Sequence, residues 1–198
     1  MTEEWIERVR LGEPEAFEEM VHMFTPTVYK IAFSMLGNEH DAKDATQEIF
    51  IKIFRCLPQL RADGLMKAWI CRIASNTCLD MLRAQSRFRG ISADDENVLF
   101  EIPDTGKTPE ESAITKETQE TVRLAIDSLP SEYKLCLTLC DINGLSYMEA
   151  ANALSCPLGT LKSRLSRARA LLYKRLSEKR ELFDLPLRPK NSEEAKKQ

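Results

Sequence analysis

The stretch Leu158-Gly159-Thr160-Leu161-Lys162-Ser163-Arg164-Leu165-Ser166-Arg167-Ala168-Arg169 carries apolar residues at Leu158, Leu161, Leu165 and Ala168, continued by Leu172 and Leu176. Steps of three and four residues place them on one side of a helix, which is stable only if that side faces a core. The opposite side carries Thr160, Lys162, Ser163, Ser166, Arg167 and Arg169, a row of hydroxyls and cations. Upstream, Ser146-Tyr147-Met148-Glu149 has the spacing of a capping box and opens a short helix that ends near Leu154. Ser155-Cys156 then turn into Pro157, which suits a first helical turn. The pattern predicts a helix-turn-helix. In that motif the second helix enters the DNA major groove with its N-terminal residues on base edges, while hydroxyls and cations take phosphates.

The whole chain has 198 residues and 43% hydrophobic content, enough for one large domain or two small ones with proper cores. Its net charge of -3 is unpromising for a polyanion partner until it is divided along the sequence. Residues 1–51 carry -7, 52–91 carry +6, 92–132 carry -8 and 133–180 carry +6. Phosphate attraction depends on local charge, so two separate basic blocks suit two nucleic-acid contacts, against the plainer reading of solvated charged helices. The acidic N-terminus is unlike a signal peptide, and no apolar run approaches the roughly 20 residues of a spanning helix. A cytoplasmic protein is expected, with no direct membrane insertion.

Cys56, Cys71, Cys78, Cys136, Cys140 and Cys156 include no C-x-x-C pair and have only His22 and His40 for company. Cys71 and Cys78 are two helical turns apart, about 10 Å by helix rise, too far for a direct disulfide. Buried thiols in a reducing compartment are expected, and no metal site. Cys136 and Cys140, one turn apart, leave a redox or metal role open.

Read in order, the chain is all-α. Gly12 stops a first short helix, Pro14 opens a second, and Thr25-Pro26 is expected to break it before a third that ends at Gly37. Phe17, Met20, Val21, Phe24, Val28, Ile31, Ala32, Met35 and Leu36 recur as core material. In the next helix, about 41–57, Ala42, Ala45, Ile49, Ile53 and Cys56 form an apolar stripe that Phe50, Phe54 and Leu57 widen. Asp44, Gln47, Glu48, Lys52 and Arg55 share the other face with Ile51 in their midst, an apolar side chain that points to a protein partner.

A loop with Arg61, Asp63 and Gly64 leads to a helix from Met66 to about Arg87, whose buried side is Ile70, Cys71, Ala74, Cys78 and Met81. A second stripe holds Trp69, Arg72, Asn76, Asp80, Arg83 and Arg87. An aromatic collinear with an amide and arginines offers a stacking platform, base-edge hydrogen bonds and phosphate neutralisation, the means by which unpaired strands are held. Residues 88–110 then lose periodicity at Pro103, Gly106 and Pro109 and turn acidic. Helical spacing resumes at Ile114, Thr118, Val122, Ala125 and Leu129, and Pro130 opens a further helix that Asn143-Gly144 end. The predicted architecture is two small helical domains, 1–91 and 113–180, joined by a flexible acidic linker, 92–112. The C-terminal domain contains the helix-turn-helix, and a polar tail follows over 181–198, with Leu182 and Phe183 as a docking point.

Four stretches in this order resemble the extracytoplasmic-function sigma factors of the sigma-70 family. They are Asp41-Ala42-Lys43-Asp44-Ala45-Thr46-Gln47-Glu48-Ile49-Phe50, Trp69-Ile70-Cys71-Arg72-Ile73-Ala74-Ser75-Asn76, Leu129-Pro130, and Gly144-Leu145-Ser146-Tyr147 continuing into the stretch from Pro157 to Arg169. The resemblance covers about 5–178 and departs from the family pattern at Ala150-Ala151-Asn152, where a bulkier aliphatic is usual, and at Ser166.

The resemblance implies that Asp44, Gln47, Glu48, Ile51 and Lys52 dock on core RNA polymerase. It implies that Arg61, Trp69, Arg72, Asn76, Asp80 and Arg83 face the melted -10 element, the loop from Arg61 to Met66 taking a flipped base. Thr160, Lys162, Ser163, Arg164, Ser166, Arg167 and Arg169 are the implied -35 readers. The implied partners are core polymerase, promoter DNA and an anti-sigma factor, with no catalytic residue, cofactor or small-molecule substrate. Two other classes fit less well. A stand-alone helix-turn-helix regulator lacks an effector or receiver domain in residues 1–90. A nucleic-acid enzyme has only Asp41, Asp44 and Glu48 on one face, interleaved with Gln47 and Lys52 and without a histidine.

Overall fold

Ala16, Met20, Phe24, Val28, Ile31, Ala32 and Met35 recur every three or four residues and are all buried, which makes α2 (Pro14–Leu36) the central strut of the fold. The computed structural model describes residues 3–60, 66–88 and 111–178. Among them every regular element is helical: α1 (Glu3–Arg10), α2, α3 (Glu39–Cys56) and α4 (Met66–Phe88), then α5 (Glu111–Asp127), α6 (Ser131–Leu137), α7 (Tyr147–Ala153) and α8 (Leu158–Glu178). The expected linker lies outside the described residues except at its end, where α5 already begins. The tail from 181 lies outside them too.

The helix ends follow their local chemistry. Pro14 occupies the start of α2, where its missing N–H costs nothing. Gly37 closes it in the left-handed region, φ 78°, its N–H returning to Phe33 O. Asn38 accepts from Asp41 N at 2.8 Å and starts α3 two residues earlier than its charge pattern suggests. The expected break at Thr25-Pro26 does not occur, and α2 runs through Pro26. Proline removes one hydrogen bond, to the carbonyl of His22, but His22, Thr25 and Pro26 all lie on the exposed face, where water replaces the lost donor. Thr25 Oγ1 donates to the neighbouring Val21 O at 2.6 Å.

The two helical units are packed together. α4 lies against α7, and α2 against α6 and the turn that follows it. Ser34 Oγ and Thr138 Oγ1 share a hydrogen bond of 2.6 Å across the contact, and Lys67 Nζ donates to Asn143 O at 3.3 Å. Arg123 Nη1 donates to Gly37 O at 3.2 Å, at the end of α2 where the helix dipole favours a cation. Both helices carry small buried side chains, Ala68, Cys71 and Ser75 on α4 and Ala150, Ala151 and Ala153 on α7, a composition that permits close approach. Ala150 and Ala151, where a bulkier aliphatic is usual, are both buried.

Ser75 is the exception to polar satisfaction: it is 1% exposed, and its hydroxyl has no hydrogen-bond partner among the described residues. An unpaired buried hydroxyl carries its full desolvation cost, so Ser75→Ala is expected to raise stability by about 1 kcal/mol. A urea midpoint above that of the wild type is the predicted result. A lower one would mean that the hydroxyl is satisfied in solution.

Candidate nucleic-acid interface

The helix-turn-helix forms where the punctuation places it. Ser146 N donates to Glu149 Oε2 at 2.8 Å and Glu149 N donates to Ser146 Oγ at 3.3 Å, a reciprocal capping box that opens α7. The turn into α8 puts Ser155 in the left-handed region at φ 50°, a conformation that costs a residue with a Cβ roughly 1–2 kcal/mol. Leu161, Leu165 and Ala168 then hold α8 to the core. α6 ends in a π-helical turn, Thr138–Ile142, in which Asn143 N reaches back five residues to Thr138 O at 2.9 Å.

This packing sorts the expected -35 readers into two sets. Lys162, Ser163, Ser166 and Arg167 are exposed and Thr160 is half-exposed, along one outward face. Lys162 and Arg167 make no ion pair among the described residues. Arg164 and Arg169 behave differently. Arg164 Nη2 pairs with Glu132 Oε2 at 2.7 Å. Arg169 grips Asp141 with Nε at 3.0 Å and Nη2 at 2.5 Å, and its Nη1 donates to Tyr147 Oη at 3.4 Å. Arg169 is exposed in the row that the spacing predicts, but it is paired with Asp141, unlike Lys162 and Arg167.

On α4, Arg72, Asn76, Asp80, Arg83 and Arg87 form the exposed row that the spacing predicts. Asp80 pairs with Arg83 at 3.2 Å, and Arg87 Nε donates to Arg83 O, whereas Arg72 and Asn76 are unengaged among the described residues. Trp69 is only half-exposed, one side of it packed on the core, so it is anchored rather than a free platform. Arg61 and the loop that follows it lie outside the described residues.

α3 presents Asp44, Gln47 and Ile51 to solvent, with Glu48 and Lys52 half-exposed and paired at 2.8 Å. Ile51 is 52% exposed, as its place in a polar face predicts. Phe54, assigned from sequence to the core stripe, is 51% exposed instead. It stands edge-on to Phe17, ring centres 5.0 Å apart, beside the α1–α2 turn where Leu11 is also exposed. Ile51, Phe54 and Leu11 thus give this side of α3 more exposed apolar surface than the periodicity of α3 predicts. The missed signal was the three-residue step from Ile51 to Phe54, which keeps both on neighbouring sides of the helix.

The cysteines are buried at 71, 78, 136 and 140 and half-buried at 56 and 156, and all are free. Burial pushes the Cys71, Cys78 and Cys136 thiols up to about 12 and Cys140 to about 11. The thiolate that disulfide exchange needs is therefore disfavoured at these four positions at neutral pH.

Comparison with known proteins assigns both units. Residues 20–88 match the family model described as Sigma-70 region 2, and residues 119–172 the one described as Sigma-70, region 4. The ECF RNA polymerase sigma factor SigE of Mycolicibacterium smegmatis is 37% identical over 159 residues, covering 79% of this chain and 60% of that longer protein. The ECF RNA polymerase sigma-E factor of Escherichia coli K12 is 35% identical over 170 residues, covering 83% of this chain and 88% of its own. Among solved structures, CnrH in complex with the cytosolic domain of CnrY aligns with a TM-score of 0.67 at 22% identity, covering 89% of this chain and 97% of that one. The sigma factor RpoE of Bartonella quintana, in complex with the anti-sigma factor NepR, aligns with a TM-score of 0.67 at 24% identity, covering 81% and 96%.

Proposed function

From the premise that the chain belongs to the sigma-70 family, in its extracytoplasmic-function group, we propose that it binds core RNA polymerase and directs promoter-specific initiation, reading -35 duplex and melted -10 DNA. Two exposed polar rows on separate helices carry this reading. Thr160, Lys162, Ser163, Ser166 and Arg167 on α8 suit a major groove, and Arg72 and Asn76 on α4, next to the anchored Trp69, suit an unpaired strand. The apolar patch around Ile51, rimmed by Asp44, Gln47, Glu48 and Lys52, is the docking face for core polymerase. The protein supplies recognition and no chemistry of its own.

The packed arrangement adds a requirement. Elements named -35 and -10 lie about 25 base pairs apart, roughly 85 Å at about 3.4 Å per pair. With α7 seated on α4, the two rows are separated only by a short helix and a turn, so promoter engagement requires the second unit to leave α4. An anti-sigma factor that holds the units together would silence the protein; the similar Bartonella sigma factor is itself in complex with the anti-sigma factor NepR. The proposed site of action is the cytoplasm, and none of the described helices is long and apolar enough to cross a membrane.

Reconstituted transcription with core polymerase on a genomic promoter library tests the reading. Selective initiation must depend on both proteins; sequence-selective duplex binding by the chain alone would favour a stand-alone regulator. Asn76→Ala is expected to cost about 1–3 kcal/mol in open-complex formation, with no rescue by a pre-melted -10 bubble. Arg167→Ala is expected to weaken closed complexes instead. The same defect in both variants on -35 duplex alone would refute separate readers.

A further inference from the structure

Leu161, Leu165 and Ala168 define the buried stripe of α8. At 3.6 residues per turn, Arg164 lies roughly 70° to one side of that stripe and Arg169 roughly 70° to the other. Each reaches a carboxylate on a different element. Arg164 meets Glu132 in the first turn of α6, and Arg169 meets Asp141 in the π-helical turn, with Tyr147 Oη as a third ligand at the start of α7. Ser163, Ser166 and Arg167 occupy the far side, between the two flanks.

We propose that Arg164 and Arg169 are positioning residues: two stays, one on each flank, that fix the roll of α8 and so decide which side chains it turns toward DNA. The assignment rests on α8 being the -35 reader. Apolar contact is non-directional, so a stripe of leucine and alanine alone restrains the roll of a helix less sharply than oriented hydrogen bonds do. On a helix about 10–12 Å across, a roll of about 20° would move a side-chain tip by roughly 2 Å, well beyond the tolerance of a base-edge hydrogen bond. Half-exposed ion pairs add little to stability, but opposed pairs on both flanks resist rotation in either sense. The π-helical turn contributes by carrying Asp141 to within reach of Arg169, across 28 residues of sequence.

The test uses the full chain assembled with core polymerase and a duplex promoter library randomised over the -35 element. Arg164→Ala, Glu132→Gln, Arg169→Ala and Asp141→Asn are each expected to flatten base preference several-fold at more than one -35 position. The slope of log affinity against log salt should stay that of the wild type, because no phosphate contact is lost. The exchanged pair Asp141→Arg with Arg169→Asp is expected to restore the preferences, which a DNA contact at position 169 would not permit. Thermal melts of each variant separate this effect from unfolding. The proposal is overturned if Arg169→Ala lowers the salt slope by about one, or if Asp141→Asn tightens binding by freeing a cation for phosphate. A wild-type holoenzyme that selects no -35 sequence would instead remove the underlying reading before any variant is compared.

Discussion

Asp127→Ala is expected to destabilise the chain by about 3 kcal/mol, because it strands a buried ammonium group. The Lys134 side chain is 8% exposed, and its Nζ meets Asp127 Oδ1 at 3.3 Å. Burial holds the Lys134 pKa below the ordinary 10.5, Asp127 opposes that shift, and the nearby Arg123 cation adds to it. Removing Asp127 deletes the one opposing charge and frees Arg123 from its 3.1 Å contact with the same carboxylate. The sign of the pH dependence follows. A lysine whose folded pKa is depressed binds fewer protons folded than unfolded, so stability rises with pH between the two values. The deficit of Asp127→Ala should therefore shrink as pH rises from 7 toward 10.5, read as urea midpoints across that range. Asp127→Leu combined with Lys134→Met should recover most of the loss by replacing the pair with apolar packing. A deficit below about 1 kcal/mol, or one that grows with pH, would mean that Lys134 reaches water once Asp127 is gone.

The contrast between this pair and the capping box of α7 explains what the sequence could disclose. Ser146 and Glu149 are three residues apart, so backbone geometry alone fixes their meeting, and the helix they open is visible in the letters. The same holds for Gly12, Gly37 and the apolar stripes of α2 and α4, whose information is local. Arg169 and Asp141 meet only after the π-helical turn has formed, and no residue type announces that turn. The exposed side of Phe54 depends on how α1 and α2 leave its ring against Phe17, which the periodicity of α3 alone does not contain. Pro26 shows the same limit: a proline costs a helix one hydrogen bond and a clash with the carbonyl four residues back, and whether the helix continues depends on surroundings, here an exposed face where water can take the lost bond. The contact between the units was equally hidden. Buried alanines, a cysteine and a serine make no conspicuous stripe, so nothing in the letters announces that α4 and α7 meet.

Ile51→Glu is expected to weaken association with core RNA polymerase by at least tenfold while leaving the fold of the free chain intact. Ile51 is 52% exposed, so the free protein gains little from its side chain, and glutamate is a good helix former that would sit one turn before Arg55. The cost falls on the complex. Burying an isoleucine at an interface is worth about 1.5–3 kcal/mol, and a carboxylate in its place adds its own desolvation, at 1.4 kcal/mol per factor of ten in affinity. Reversing Glu48 to Lys is expected to weaken docking too, but it also breaks the 2.8 Å pair with Lys52 and sets two cations one turn apart, which mixes a stability effect into the result. Phe54→Ser carries a similar ambiguity through its contact with Phe17. Ile51→Glu is the cleaner probe for that reason. Titration of fluorescent core polymerase, with circular dichroism of each free variant as the control, gives the affinity ratio. An unchanged affinity with intact helicity would show that polymerase docks elsewhere and leave the patch of Leu11, Ile51 and Phe54 to another partner.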